Sequence, residues 1–185
     1  MIELAKGDSA ICKAFSQNWK WSHLIVNACN DIQKEKFLTE FIEDHRYMLG
    51  RGITEPNAGC DNRLPPENDP KAGYRLSAKR DGDDWILNGE KTFIANGSVG
   101  SLFFIDARTD TTVDIARGGT LFLVHKNTPG FRIGKIFNKA GWRFYQNAEL
   151  IFEDARVPHA NVIGSVGTGS VKAAGGDTTG GDLFG

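Results

Sequence analysis

The chain has 185 residues, 22 basic and 23 acidic side chains, a net charge of −1 and 40% apolar content. That length corresponds to about one domain and part of another, and the balanced charge gives no electrostatic reason to expect nucleic acid or an anionic membrane surface. No apolar run approaches the ~18 residues of a membrane-crossing helix, and Met1 to Lys6 lack the basic-then-apolar pattern of a secretory signal.

Residues 1–46 read as helical, the partial remains of a helical domain. Asp8 is positioned as an N-cap, placing Ile11, Ala14 and Phe15 together, with Trp19 and Trp21 near that helix's end or packed on a neighbour. Asn30 and Gln33 have the spacing of a capping box, and Phe37, Leu38, Phe41 and Ile42 fall on one face of the helix that follows. Two or so helices are too few for an independent core and require something to pack on.

From about residue 47 the apolar period changes from 3.6 to 2. Tyr74, Leu76 and Ala78 alternate with polar neighbours, and Asp81-Gly82 is a hairpin signal. Trp85 to Leu87 leads to Asn88-Gly89, a second turn signal; Lys91 to Ala95 forms another strand and ends at Asn96-Gly97. Leu102 to Ala107, Thr120 to His125, Phe131 to Ile136 and Ala148 to Phe152 complete the series. Short strands at this spacing with no helices between them predict an antiparallel sandwich or barrel over 47–163, so the fold class is α+β. Asn62 to Gly73 is a polar loop containing Pro65, Pro66 and Pro70. Residues 164–185 are glycine-rich and read as a flexible linker.

Cys12, Cys29 and Cys60 are too few and too scattered for a disulfide framework or a CxxC metal site, which suits a reducing, cytoplasmic setting. The four histidines are equally dispersed, and no metal site is expected.

The segment with most chemical content runs from Gly52 and Ile53 through Thr54-Glu55-Pro56-Asn57-Ala58-Gly59-Cys60-Asp61. It reads as a strand entering a small-residue turn whose backbone amides are free to face a ligand. Thr54 adds a hydroxyl, Pro56 removes a donor and fixes φ, and Gly59 permits close backbone approach. Most turns of this composition are only turns. Three further segments follow it in order: Leu87 to Gly97 (LNGEKTFIANG), Thr128-Pro129-Gly130-Phe131, and Ala148 to Pro158 followed by Asn161 to Gly164. Together, over about residues 30–170, these four segments closely resemble the middle domain of the acyl-CoA dehydrogenase family.

The resemblance implies a helical N-terminal domain, a middle β-domain and a C-terminal helical bundle, with FAD between the last two and an acyl-CoA thioester against it. It implies α,β-dehydrogenation of the acyl chain, an electron-transfer flavoprotein or similar acceptor, and a homo- or hetero-oligomer. By motif position, Gly52, Ile53 and Thr54 meet the pyrimidine edge of the flavin. Gly59 and Cys60 lie near the diphosphate or the thioester end, with Cys60 also a substrate contact. Phe93, Ile94 and Ala95 match the aromatic–aliphatic–hydroxyl triplet beside the ring system.

The departures are specific. Cys60 replaces the usual Ser and donates less well. Ala95 replaces a Thr or Ser whose hydroxyl the family uses. Tyr145 and Asn147 stand at positions often held by Ser and Thr. Lys91, Glu55, Glu153, Asp154 and Arg156 read as structural or surface charges, and Arg143 as a contact to a diphosphate or a neighbouring subunit, or as a simple ion pair. No residue matches the family's catalytic carboxylate, which belongs to the C-terminal bundle, so no catalytic residue is expected here. The chain is therefore expected to need that bundle in cis or in trans and to be inactive alone. Two other readings stay open: a flavin monooxygenase on the same scaffold, and a non-catalytic β-domain subunit binding a partner chain.

Overall fold

The computed structural model describes residues 1–62 and 69–168. Pro65, Pro66 and the glycine-rich stretch from 169 lie outside them. Three helices open the chain: α1 (Ile2–Gly7), α2 (Ser9–Ala28) and α3 (Asp31–Glu43). Asp8 caps α2 by accepting from the amides of Ala10 and Ile11, and Asn30 with Gln33 forms the capping box of α3. Both caps satisfy amides that have no intrahelical partner.

Eight strands follow: β1 (Met48–Gly52), β2 (Ser77–Asp81), β3 (Asp84–Ala95), β4 (Gly100–Arg108), β5 (Gly119–His125), β6 (Phe131–Ile136), β7 (Asn147–Pro158) and β8 (Val162–Ile163). They form one mostly antiparallel sheet in the order β6-β7-β3-β2-β4-β5-β8, with β1 paired to β4. The β1–β4 pairing is parallel, as is the single β2–β4 contact at Ser77 and Arg108. A one-turn helix, α4 (Ile115–Gly118), interrupts the run between β4 and β5, where a helix-free connection was expected. It is nucleated by Asp114, whose carboxylate accepts from the amides of Ala116 and Arg117.

Strand alternation distributes the core to both faces. On β4 and β5, Phe103, Ile105, Phe122 and Val124 enter one apolar cluster with Leu87, Leu150 and Phe152. Their neighbours Leu102, Phe104, Leu121 and Leu123 enter a second, with Trp21, Leu24, Ile25, Cys29 and Phe37 of α2 and α3. The helices thus cover one face of the central strands and share the second cluster with them, while the first cluster is built from the sheet region alone. Two helical assignments shift. Ile42 and Phe15 are mostly exposed, whereas Trp21 is buried in the middle of α2 and stacks near Phe104 at 6.0 Å. Helix α2 runs well beyond the tryptophans, so Trp19 and Trp21 lie on different faces of its middle turns.

The Asn88-Gly89 turn does not occur. β3 continues through it, with Gly89 at φ 133, a value L-residues rarely adopt. A Cβ on Gly89 would sit 3.1 Å from the Leu76 Cα. The glycine lets β3 pass close to the strand beside it. The irregularity is instead on β7, where Asp154 (φ 51) is an extra residue facing Leu87 to Gly89. Asn88 and Asp154 close it with two reciprocal hydrogen bonds of 2.9 Å.

Candidate flavin-facing turn

β1 ends at Gly52 and the chain continues into the turn 53–62. A Cβ on Gly52 would meet the Ile105 Cδ1 at 2.8 Å and the Lys91 Cγ at 3.1 Å, so this glycine is required by packing. Beyond it, the Thr92 amide donates to the Thr54 carbonyl at 2.8 Å. That bond fastens the turn to β3 and brings the first two motif segments side by side.

Glu55 is the turn's anchor. Its carboxylate accepts from the amides of Arg75 at 2.6 Å and Leu76 at 2.8 Å, and from the Lys91 ammonium at 2.8 Å. Lys91 is fully buried and also donates to the Ile53 carbonyl at 3.3 Å, below the Tyr74 ring. Burial pushes its pKa down, opposed by Glu55 and then Asp106. Next to this pair, Arg51 holds Asp106 through two hydrogen bonds of 3.0 and 3.2 Å and lies over Trp21. The structural reading of Glu55 and Lys91 agrees with this geometry, although Lys91 is inside the protein and not at its surface.

The turn itself is less open than its composition suggests. Glu55 and Ala58 exchange backbone hydrogen bonds of 3.0 and 3.2 Å. The Gly59 amide donates to Asp61 at 2.7 Å, and the other Asp61 oxygen accepts from Gly73 at 2.8 Å. Three of the amides expected to face a ligand are therefore already paired. Among the described residues, none accepts the amide of Thr54 or Cys60. The Gly73 amide, followed by burial and then the Gly59 amide, sets the balance that holds the Asp61 carboxyl below its ordinary pKa. Gly59 itself has open space where a Cβ would stand and no positive φ. Among the described residues, nothing explains its lack of a side chain. Cys60 is exposed beside it.

On β3, Phe93 is 60% exposed, adopts φ 57 and stacks on Phe137 at 4.5 Å between ring centres. Ile94 is buried and pairs with Ala148 of β7. Ala95 packs against a small cluster of Ala10, Ala14 and Tyr145 that joins α2 to the loop before β7. Tyr145 is buried there, and Lys139 lies 4.9 Å from its ring centre. Arg143 and Trp142 are exposed, with the Trp142 indole donating to Ser9 at 3.0 Å.

The structure thus assembles residues 52–61, 91–95 and the start of β7. It does not bring the Thr128 to Phe131 segment to them. Those residues pair with Glu153 and Arg156 at the other end of β7, where Arg156 bonds Asp81 and Asp84. Two participants were not singled out from sequence. Arg108 is buried and donates to the carbonyls of Tyr74, Val113, Pro70 and Ala72, fixing the segment that Glu55 grips. Asp61 was part of the motif but had no role until its two amide partners were seen. No helix among the described residues is long and apolar enough to cross a membrane, and no group of three metal-ligating side chains occurs among them.

Comparison with known proteins is consistent across sequence and structure. Residues 50–155 match the family model described as acyl-CoA dehydrogenase, middle domain. The mitochondrial isovaleryl-CoA dehydrogenase of Pongo abelii is 35% identical over 169 residues, covering 89% of this chain and 37% of that protein. The solved butyryl-CoA dehydrogenase of Megasphaera elsdenii superposes with a TM-score of 0.80 at 34% identity, covering 90% of this chain and 41% of that one. A chain in the structure of the electron transferring flavoprotein of Acidaminococcus fermentans gives 0.79 at 34% identity, covering 90% and 41%. The chain thus spans well under half the length of these relatives.

Proposed function

The chain belongs to the acyl-CoA dehydrogenase family, and from that membership we propose that it supplies the flavin-facing part of an FAD-dependent acyl-CoA dehydrogenase. The observation that carries this reading is the Thr92-to-Thr54 bond, which sets the two motif strands side by side next to an unfilled space at Gly59. A glycine that no contact among the described residues requires, in the same turn as the Thr54 and Cys60 amides that none of those residues accepts, suits a planar or anionic group approaching the backbone.

In this reading the backbone of Gly52, Ile53 and Thr54 and the Thr54 hydroxyl bind the pyrimidine edge of the flavin. Gly59 and Cys60 lie toward the diphosphate or the thioester end of the substrate. Phe93 offers its exposed ring and Ala95 its backbone amide, with buried Ile94 between them as part of the same cofactor-binding triplet. When bound, FAD supplies the acceptor for the two hydrogens lost from an acyl-CoA chain. The residues of this chain orient that group and shield one side from water; none is assigned as the base for the α-proton. We carry forward 1–46 as part of a helical domain, 47–163 as the β-domain and 164–185 as a linker to a C-terminal helical domain acting in cis or in trans. An electron-transfer flavoprotein as acceptor, an oligomeric state and a cytoplasmic setting belong to the same proposal.

The test is an FAD titration of the isotopically labelled chain, followed by amide resonances up to millimolar cofactor. The expected result is movement of the Thr54, Gly59, Cys60 and Phe93 to Ala95 amides, with Thr128 to Phe131 unchanged. No response, or a response centred elsewhere, overturns the reading. Addition of butyryl-CoA to the loaded chain then asks whether Cys60 also senses the substrate.

A further inference from the structure

We propose that Lys139 and Asn147 are positioning residues that hold the outward bulge of β3 in the conformation presented to the flavin. The inference rests on the flavin reading above. Between Lys91, which faces Leu150, and Ile94, which faces Ala148, β3 carries one residue more than β7. Phe93 has no partner residue there and adopts φ 57. A bulge leaves backbone groups without ladder partners, and these must be satisfied in another way.

Asn147 supplies the partner. Its Nδ2 donates to the Phe93 carbonyl at 2.7 Å. Its Oδ1 accepts from the Lys139 ammonium at 2.6 Å, and the same ammonium donates to the Tyr145 carbonyl. This lysine therefore fixes which end of the amide faces Phe93. With the oxygen held by a cation, only the NH₂ is left to meet the carbonyl. On the other side of the bulge, Thr92 is tied to Thr54. The peptide between Thr92 and Ile94 is thereby clamped from both flanks, which turns the Phe93 ring outward onto Phe137. Burial also pushes the Lys139 pKa down.

The arrangement depends on the side chains present at these positions. Asn147 is long enough to reach both Phe93 and Lys139 while its own backbone carbonyl accepts from Phe137 at 2.9 Å. Its neighbour Tyr145 fills the space beside Ala95. With no hydroxyl at residue 95, the aim of the backbone amides at 93–95 carries more of the recognition.

The discriminating variants are Asn147→Asp and Asn147→Leu, both nearly isosteric. Asn147→Asp keeps an acceptor for Lys139 but sets oxygen against the Phe93 carbonyl; Asn147→Leu removes both bonds, and either serves if the other fails to fold. Two readouts are taken on each folded variant: the Phe93 carbonyl-carbon and Ile94 amide resonances without cofactor, and the FAD dissociation constant from the titration. The expected result is a shift of both resonances and FAD binding weakened about threefold to tenfold, the effect of one lost hydrogen bond. An unmoved Phe93 carbonyl overturns the clamp. A moved carbonyl with unchanged FAD affinity overturns its role toward the cofactor. A wild-type chain that gives no FAD response overturns the flavin reading and the cofactor role with it, and the Phe93 resonance distinguishes that failure from a failure of the clamp.

Discussion

The Thr92 amide donates to the Thr54 carbonyl at 2.8 Å, joining two segments 38 residues apart in sequence by one backbone hydrogen bond. β1 runs parallel to β4, and β3 reaches β4 only through β2, so neither strand ladder alone would place Thr54 against Thr92. The contact exists because Glu55 and Lys91 pair beneath it and the β3 bulge begins immediately after it. The face proposed to meet the flavin is therefore a product of buried charge and strand irregularity as much as of the exposed turn.

Gly52 and Gly59 separate packing from recognition. Gly52→Ala must push the Ile105 side chain and the Lys91 stem aside, since a Cβ lies 2.8 and 3.1 Å from them. It is expected to cost about 1–3 kcal/mol by overpacking, read as a lower denaturation midpoint. Gly59→Ala meets open space among the described residues at a compatible φ and is expected to leave stability unchanged or raise it by about 0.4–1 kcal/mol, while weakening the FAD response. A stability loss at Gly59 comparable with that at Gly52 would refute the assignment.

Arg108 organises residues 70–76 by donating from a buried position to three of their carbonyls, those of Pro70, Ala72 and Tyr74, and it also donates to the Val113 carbonyl. Arg108→Lys keeps the charge but cannot reproduce the planar fork, leaving several carbonyls unpaired. The expected loss is about 2–4 kcal/mol, taking roughly 1–3 for each buried group left unsatisfied, with partial relaxation of the rest. Hydrogen exchange at the Arg75 and Leu76 amides, which Glu55 holds, should accelerate more than exchange at β5. Equal acceleration in both places would mean that Arg108 acts on the whole fold and not on this segment.

Local chemistry was legible in the sequence where one residue determines one bond. Asp8 and Asn30 cap their helices because a short acceptor before an apolar repeat has few other uses. The strand series followed from its period of two, and the family resemblance directed attention to the Thr54 turn. Asn88-Gly89 misled because a positive φ serves a hairpin and a bulged crossing equally; only the proximity of Leu76 decides between them. The parallel placement of β1 has no signal in its five residues. Arg108 was silent, and Asn147 showed only as a departure from the family pattern, for another reason: each meets a backbone carbonyl distant in sequence, and carbonyls carry no residue identity.

Asp61 gives the turn a defined response to acid. Its carboxyl is held below the ordinary value of 3.8 in the folded chain, the Gly73 amide being the first cause. A group with a lowered folded pKa contributes stability that is present above its unfolded pKa and is lost as pH falls through the folded one. The Gly59 and Gly73 amide resonances are thus expected to titrate together with a midpoint below 3.8, while the turn stays closed at neutral pH. Asp61→Asn should abolish that shared transition. Independent midpoints for the two amides would show that one carboxylate does not bridge them.

Glu55 and Lys91 form the ion pair on which the turn rests, both buried and 2.8 Å apart. Burying two charges carries a large desolvation cost that the pairing and extra hydrogen bonds offset. Removing one partner leaves the other charge uncompensated, so Lys91→Met or Glu55→Gln alone is expected to cost about 3–5 kcal/mol. The Glu55→Gln/Lys91→Met double variant should cost clearly less than the sum, because neither buried charge then remains. It still loses one acceptor for the amides of Arg75 and Leu76, so it should not return to the wild-type value. Chemical denaturation of the four proteins closes the cycle, and additive losses would rule out direct coupling. If the pair supports the recognition surface as well as the fold, the double variant should also show a weakened Thr92-to-Thr54 bond as faster exchange of the Thr92 amide, even where overall stability has largely recovered.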